Sequence, residues 1–343
     1  MRQTERIDNL IIDIFKNSKD NFVSGQALSN KINITRAAVW KHIEGLRKRG
    51  YVIDSIPSKG YRLVEIPDRM SPDEIKGSIK TGIIGKDLLF FDEVDSTNDI
   101  AMDSGAKGAA EGLVVLAEGQ SHGKGRMGRT WVSPKNVNLY VSILLRPDIS
   151  PPHAPVLTMM AALATAQAIT DVTGLETMIK WPNDILVDQK KVSGILTEMN
   201  AEQERINYVV IGIGINVNMK NGDFPENLRM PATSLLGCTG KRVDRMNLLC
   251  TLIETLERDY EDLRNKGVMS IFERWCKRCD ILGRHINVSL QGEVITGVAE
   301  DFTPEGGLII RLDWRKKRVI YAGDVSLIEN NQVDRLKTEG YKS

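Results

Sequence analysis

The sequence predicts an α+β protein of several domains: an amino-terminal winged helix-turn-helix, a central mixed sheet with helices, and a small carboxyl-terminal β unit. Three observations predict it. The chain has 343 residues, more than one ordinary core accommodates. Its first 66 residues read as three short helices and a hairpin. From Pro72 onward apolar strand-like runs alternate with long helical ones, and several strands follow one another without an intervening helix, which favours a mixed over a purely parallel sheet. A hydrophobic content of 41% and a charged content of 27% are those of a folded globular protein.

In the first segment Ile7, Leu10, Ile11, Ile14 and Phe15 recur at helical spacing and predict an amphipathic helix. Ser24 is a plausible N-cap for a second helix with Ala27, Leu28 and Ile32 inward. After a turn at Asn33 and Ile34, Thr35 caps a third helix, whose Val39, Ile43 and Leu46 face inward and which Gly50 stops. The runs YVIDSI and YRLVEI then flank Pro57-Ser58-Lys59-Gly60, a β-hairpin wing. Residues 1–66 hold 12 Lys/Arg against 7 Asp/Glu, a local surplus of +5 in a chain whose net charge is +1. A basic unit of this kind is expected to bind DNA. Thr35, Arg36, Trp40 and Lys41 would lie at the major groove, and Arg47, Lys48, Arg49, Lys59 and Arg62 near phosphates. A protein-interaction module or a solvated basic face is the alternative.

Pro67 to Pro72 (PDRMSP) reads as a linker. The start, MRQTERIDNLIIDIF, has acids among its hydrophobics and no signal-peptide pattern; no run of eighteen apolar residues suggests a membrane span. A cytoplasmic protein with reduced cysteines is therefore expected. Cys276 and Cys279 form a CxxC without a second Cys/His pair nearby, which reads as small residues on a helix rather than a metal site.

Glu118 to Trp131, EGQSHGKGRMGRTW, carries the most chemistry. Gly123, Gly125 and Gly128 are interleaved with Lys124, Arg126 and Arg129, a backbone able to curl around phosphate with cations beside it. Read literally, GKGRMG is GxGxxG, but a Rossmann turn leads from a strand directly into a helix. Here five residues separate LVVLA from Gly123, and a strand-like run follows. Kinase and Walker patterns also fail for lack of their partner motifs. Two further constellations stand out. Asp95-Ser96-Thr97-Asn98 opens a helix after LLFFDEV, by itself only an N-cap signal. In IKWPNDILV, Lys180 ends a strand-like run and Trp181 to Asp184 turn, with Lys191 preceding a strand that contains Gly194. A strand-end lysine can equally be a snorkelling edge residue.

Together, STN (96–98), GQSHGKGRMGRTW (119–131), KWPND (180–184), KVSGIL (191–196) and GIGINVN (212–218) closely resemble biotin protein ligases. With the winged helix the resemblance is to the bifunctional ligase and biotin-operon repressor type, over residues 5 to about 328. It implies a central sheet related to class II aminoacyl-tRNA synthetases and an SH3-like β-barrel. The carboxyl-terminal runs INVSL, VITGVAEDF, GLIIRLD, RVIYAG and VSLI, with a turn at Pro304 to Gly307, suit the barrel. The implied domains are a winged helix (1–66), a linker (67–72), a catalytic domain (73–279), an SH3-like domain (280–330) and a polar tail (331–343).

The resemblance implies that biotin's carboxylate attacks the α-phosphorus of ATP to give biotinyl-5′-AMP, with Mg2+ as activator. A lysine of a biotin carboxyl carrier domain then takes the acyl group. Ser96, Thr97, Asn98, Gln120, Lys124, Gly125, Arg126, Lys180 and Gly194 would contact biotin. Gly123, Lys124, Arg126, Arg129, Trp131, Asn183 and Asn216 would contact the nucleotide, with Asn216 near the nucleotide or the metal. Arg126, Lys180 and Asp184 would serve catalysis, Lys180 as a fixed positive charge and Asp184 orienting or deprotonating the acceptor amine. Gly194 and Gly214 would let backbone approach the ligand closely, and the Gly123–Arg129 loop would close over the intermediate. A homodimer on operator DNA is the implied regulatory state. Family members commonly carry arginine where Lys124, Met127 and Ile328 stand. A ligand-sensing regulator without catalysis and a lipoate or octanoate ligase are the competing readings.

Overall fold

The structure, a computed structural model, describes residues 3–18, 21–48, 51–65, 70, 72–290, 292–313 and 315–328. The Gly50 helix stop, Arg49, the Lys48 side chain, most of the 67–72 linker and the 331–343 tail lie outside the described residues. The chain forms two compact units, Met1–Arg69 and Met70–Ser343.

In the first unit α1 (Gln3–Asn17), α2 (Gly25–Ile32) and α3 (Arg36–Lys48) precede a hairpin of β1 (Val52–Ile56) and β2 (Gly60–Glu65). The Ser24 side chain accepts from Ala27 N, and Asn33 ends α2 in the left-handed region with φ 58°. Thr35 Oγ1 accepts from Ala38 N at 3.2 Å. Ile11, Phe15, Leu28, Val39, Ile43, Leu46 and Ile53 form the core, whereas Leu10, expected inside, is exposed. Gly60 has φ +108°, and a Cβ there would lie 2.2 Å from the Val23 carbonyl oxygen; only glycine lets the wing close onto that backbone.

The larger unit begins with α4 (Pro72–Ser78), β3 (Leu88–Phe91), α5 (Thr97–Ala106), β4 (Val114–Ala117), β5 (Leu139–Leu145) and α6 (Pro155–Thr173). It continues with β6 (Met178–Lys180), β7 (Asp184–Val187), β8 (Lys190–Ala201) and β9 (Ile206–Ile215). Then come α7 (Leu235–Thr239), α8 (Arg245–Lys266) and α9 (Val268–Cys276), followed by β10 (His285–Leu290), β11 (Glu293–Phe302), β12 (Leu308–Arg311), β13 (Lys317–Ile320) and β14 (Asp324–Leu327). The central sheet has the order β3-β4-β5-β9-β8-β7-β6. Only β3 and β4 pair in parallel, so the sheet is mixed. All seven residues of β5 are buried, as expected for a central strand covered on both faces.

The last five strands form an antiparallel sheet of order β13-β12-β11-β10-β14. No pairing that would close it into a barrel is present among the described residues. Its Ile286, Val288, Phe302 and Leu308 belong to one continuous core with α6, α8 and the central sheet. Trp275 meets Phe302 edge-on at 4.7 Å, and Trp181 Nε1 donates to the Gly306 carbonyl at 3.0 Å. Helix α6 is long and apolar enough to span a bilayer, but most of its residues are buried in this core. The CxxC reading holds in part: Cys276 ends α9, whereas Cys279 lies beyond it, paired through backbone to Ile179. Burial pushes the Cys276 thiol up to about 11 and Cys279 higher still than its ordinary value, so neither is an activated thiolate.

Two buried carboxylates brace the larger unit. Glu118, at the end of β4, accepts from Arg245 Nη1 at 2.7 Å and from Met70 N at 3.0 Å. Glu257 accepts from three successive backbone N–H groups, Gly82, Ile83 and Ile84, fixing the chain that leads into β3. A buried charge persists only when its oxygens are satisfied in this way.

Candidate active site

The central sheet's strand ends, the 119–132 loop, the 219–232 segment and the start of β14 enclose a cavity of about 920 Å3. Ser96, Thr97, Asn98, Gln120, Lys124, Gly125, Arg126, Arg129, Trp131, Lys180, Asn183, Asp184, Gly194 and Asn216 all line it. Motifs more than a hundred residues apart are thus gathered by the fold. Of the expected ligand contacts, Gly123 alone is not on the wall; its backbone instead packs against Trp131 O and Gln120.

One wall is polar and rigid. Ser96 stands at the N-cap position of α5 but makes no side-chain cap bond; its neighbour's backbone, Thr97 N, donates to Gln120 Oε1 at 2.9 Å instead. The Thr97 hydroxyl also donates to Gln120 Oε1, at 3.1 Å. Gln120 Nε2 donates to Ser133 Oγ at 2.9 Å, which fixes the amide's orientation. Asn98 Nδ2 donates to Glu198 Oε2 at 2.8 Å, and Asn98 Oδ1 lies 2.6 Å from the buried Ser142 hydroxyl. Ser142 and Glu198, which the motifs did not single out, hold the STN segment from beneath.

The opposite wall is cationic. Arg126 donates to Asn183 Oδ1 at 2.9 Å, and burial draws its pKa below the usual arginine value while Asp184 and Asp324 act in the other sense. Asn183 is itself held by Ile195 O at 2.7 Å. Lys124, expected at biotin, pairs with Asp99 on α5, and Arg129, expected at the nucleotide, pairs with Asp324.

Two lysines need to be distinguished. Lys180 reaches Met230 Sδ at 3.3 Å and also lines a smaller cavity of about 230 Å3 between β6 and β14. Burial lowers its pKa from the ordinary value. Lys191 lies within β8 rather than ahead of the strand. Its Nζ is 2.6 Å from Asp184 Oδ1 and 5.2 Å from the centre of the Trp131 ring. A Cβ at Gly194 would sit 3.1 Å from that same ammonium. Both lysines line the cavity; Lys191 is packed among Asp184, Trp131 and Gly194, whereas Lys180 also faces the smaller one. The signal was visible as the lysine opening KVSGIL, but strand pairing is what brings it to Asp184. Asp184 is engaged by Lys191 and so does not stand as an unpaired base.

Gly194 and Gly214 were expected to admit a ligand. Instead the Trp131 indole covers both, 3.0 Å and 2.5 Å from where their Cβ atoms would be. The open strand surface therefore accommodates a residue of the glycine loop. Asn216 donates Nδ2 to the Thr233 carbonyl at 3.2 Å and shapes the segment that carries Met230. In that loop Met127 is exposed and left-handed, with φ 57°.

Of the expected DNA contacts, Thr35, Arg36, Trp40, Lys41 and Lys59 are exposed. Arg47 departs from expectation: its guanidinium folds back onto Ile53 O at 2.7 Å and Glu44 at 2.7 Å, joining α3 to the wing. Arg62 pairs with Asp54 at 2.7 Å and lies 4.8 Å from the Phe22 ring centre.

A glycine loop rich in cations, a buried polar wall and further cations lining one cavity on a mixed sheet are what an enzyme of the biotin/lipoate ligase class requires. The Biotin/lipoate A/B protein ligase family matches residues 90–216, an HTH domain matches 8–62, and the Biotin protein ligase C terminal domain matches 281–328. The chain is 39% identical over 95% of its length to the whole of the bifunctional ligase/repressor BirA of Bacillus subtilis. It is 29% identical over 85% of its length, and 89% of the relative's, to the Escherichia coli protein of the same description. The biotin protein ligase of Aquifex aeolicus, solved in complex with biotin and ATP, superposes with a TM-score of 0.61 at 29% identity. That match covers 71% of this chain and all of that one. The chain belongs to the family of bifunctional biotin ligase/repressors.

Proposed function

We propose that this protein joins biotin to ATP as biotinyl-5′-AMP, transfers the acyl group to a lysine of a biotin carboxyl carrier domain, and represses biotin genes. The carrying observation is the convergence of Arg126, Lys191 and the Ser96–Asn98/Gln120 wall on one cavity. Attack of the biotin carboxylate on the α-phosphorus of ATP breaks the α–β phosphoanhydride bond, expels pyrophosphate and brings two anions together, so catalysis rests on fixed cations and donors at the developing charge. The polar wall takes the ureido ring. Arg126 and Lys191 neutralise the acyl-phosphate junction, with Lys191 in the central part first expected of Lys180. Lys180 adds positive potential at the margin. Asp184 holds the Lys191 ammonium in place, and Asn183 holds Arg126; both are positioning residues.

Magnesium belongs here as the nucleotide's counter-ion. Among the described residues no group of three His, Cys, Asp or Glu side chains gathers as a metal site, and the cavity carboxylates Asp184 and Asp324 are ion-paired. With both carboxylates so engaged, the cavity fits an ion that arrives on a triphosphate.

In the second step the acceptor amine attacks the acyl carbonyl, the bond to AMP oxygen breaks, and one proton is released. The exposed Arg36, Trp40, Lys41 and Lys59 support operator binding by the winged helix, with a homodimer spanning two half-sites. A barrel-like closure of the β10–β14 sheet also belongs to this reading. The test is biotin-dependent exchange of labelled pyrophosphate into ATP, with lipoate in place of biotin as the comparison. Exchange with biotin alone is expected, and exchange with lipoate alone would transfer the protein to the lipoate branch.

A further inference from the structure

The cavity mouth contains an arrangement of charges unlike an ordinary surface pair. Arg129 comes from the glycine loop, Arg229 from the 219–232 segment, and Asp324 opens β14 of the other sheet; all three line the cavity. Arg129 embraces the Asp324 carboxylate with both terminal nitrogens, Nη1 to Oδ1 at 3.0 Å and Nη2 to Oδ2. Arg229 Nη1 reaches the same Oδ2 at 3.1 Å. One forked and one single-nitrogen guanidinium contact thus share one carboxylate, leaving one positive charge in excess. Planar forks of this kind match the oxygens of carboxylate and phosphate equally well. Arg126 lies deeper and faces the neutral Asn183, so positive charge continues inward from the mouth.

We propose that Arg129 and Arg229 form an exchangeable oxyanion site in which the Asp324 carboxylate is the resident occupant and inorganic pyrophosphate its competitor. The proposal rests on the ligase reading, in which pyrophosphate leaves the α-phosphorus. A diphosphate presents several negative charges where Asp324 presents one, so it displaces the carboxylate, whereas a monoanion such as chloride does not. The hydrogen bonds from Arg129 hold the Asp324 carboxyl below its ordinary range, as expected of a carboxylate clamped by cations. Return of Asp324 then expels the leaving group and draws the glycine loop back against β14. Retention of pyrophosphate and closure of the loop become alternatives governed by one carboxylate.

Calorimetric titration with inorganic pyrophosphate, in the absence of biotin and nucleotide, tests this directly on the full chain. Asp324→Asn removes the competing charge while keeping the shape, and is expected to tighten pyrophosphate binding about twofold to fivefold, the range of a partly exposed ion pair. Arg229→Gln is expected to weaken binding by a similar factor, and the double variant to lose the gain of Asp324→Asn. Unchanged or weaker binding by Asp324→Asn overturns the exchangeable site, because a purely structural carboxylate would loosen both arginines. Unchanged binding by Arg229→Gln overturns it equally. Biotin-dependent pyrophosphate exchange by the wild-type protein is scored separately: its absence together with tighter binding by Asp324→Asn would leave the anion site standing and remove the ligase reading.

Discussion

Replacing Gly212 by alanine tests how firmly the polar wall is built. Gly212 lies in β9 opposite Ser142 of β5 and Leu196 of β8, so its backbone is fixed on both sides. An added Cβ would lie 2.1 Å from Asn98 Oδ1 and 2.8 Å from Asn98 Cγ. Asn98 cannot step aside without leaving Ser142 and Glu198, its partners at 2.6 Å and 2.8 Å. Overpacking costs about 1–3 kcal/mol. The two lost buried hydrogen bonds, one to a carboxylate, add about 2–4 kcal/mol. The sum, about 3–7 kcal/mol, corresponds to a fall in Tm of roughly 6–14 °C, at about 2 °C per kcal/mol for a unit of this size. Gly214→Ala is the control. Its Cβ would lie 2.5 Å from Trp131 Cε2, but that indole belongs to a loop outside the sheet and can move away. A fall of under about 3 °C is expected, with a change in Trp131 fluorescence. Differential scanning calorimetry and the KM for biotin decide between them. A Gly212→Ala protein that keeps both Tm and KM, or a Gly214→Ala protein equally destabilised, would refute the contrast between a locked wall and a movable lid.

The remaining predictions concern the cations and the buried polar groups. Lys191→Met should lower single-turnover formation of biotinyl-5′-AMP about 10²–10³-fold, as loss of a transition-state contact does, whereas Lys180→Met should cost less than about tenfold; the reverse order would restore Lys180 to the centre of the site. Because burial lowers the Lys180 pKa, the unfolded chain binds more protons between the lowered value and the ordinary 10.5. Stability should therefore rise with pH through that window, and urea melts should show this rise in the wild type but not in Lys180→Met. Ser142→Ala should destabilise by about 1–3 kcal/mol and raise the KM for biotin with little change in that for ATP, read by steady-state exchange kinetics. Arg245→Met strands the Glu118 carboxylate and should cost about 3–5 kcal/mol by chemical denaturation, an effect that Glu118→Gln in the same chain should partly reverse.

Local signals made much of this protein legible in its sequence. Ser24, Asn33 and Thr35 act where capping rules place them, because a cap depends on residues only a few positions away. The glycine-and-cation pattern of 123–129 stood out for the same reason: it is written in consecutive residues. The order of the STN, GKGRMGR, KWPND and KVSGIL segments identified the family. Pairing across the sheet decided what the sequence left open. The surroundings of Lys191 follow from β7–β8 pairing, which brings it to Asp184, and from Trp131 lying over Gly194. Arg47 was lost to the wing and Arg129 to Asp324 because a cation takes the nearest carbonyl or carboxylate the fold brings, however distant in sequence. Ser142 and Glu198 carried no motif, since a residue that supports another from beneath needs only the right strand, register and burial. Those three are properties of the folded sheet and of no single stretch of chain.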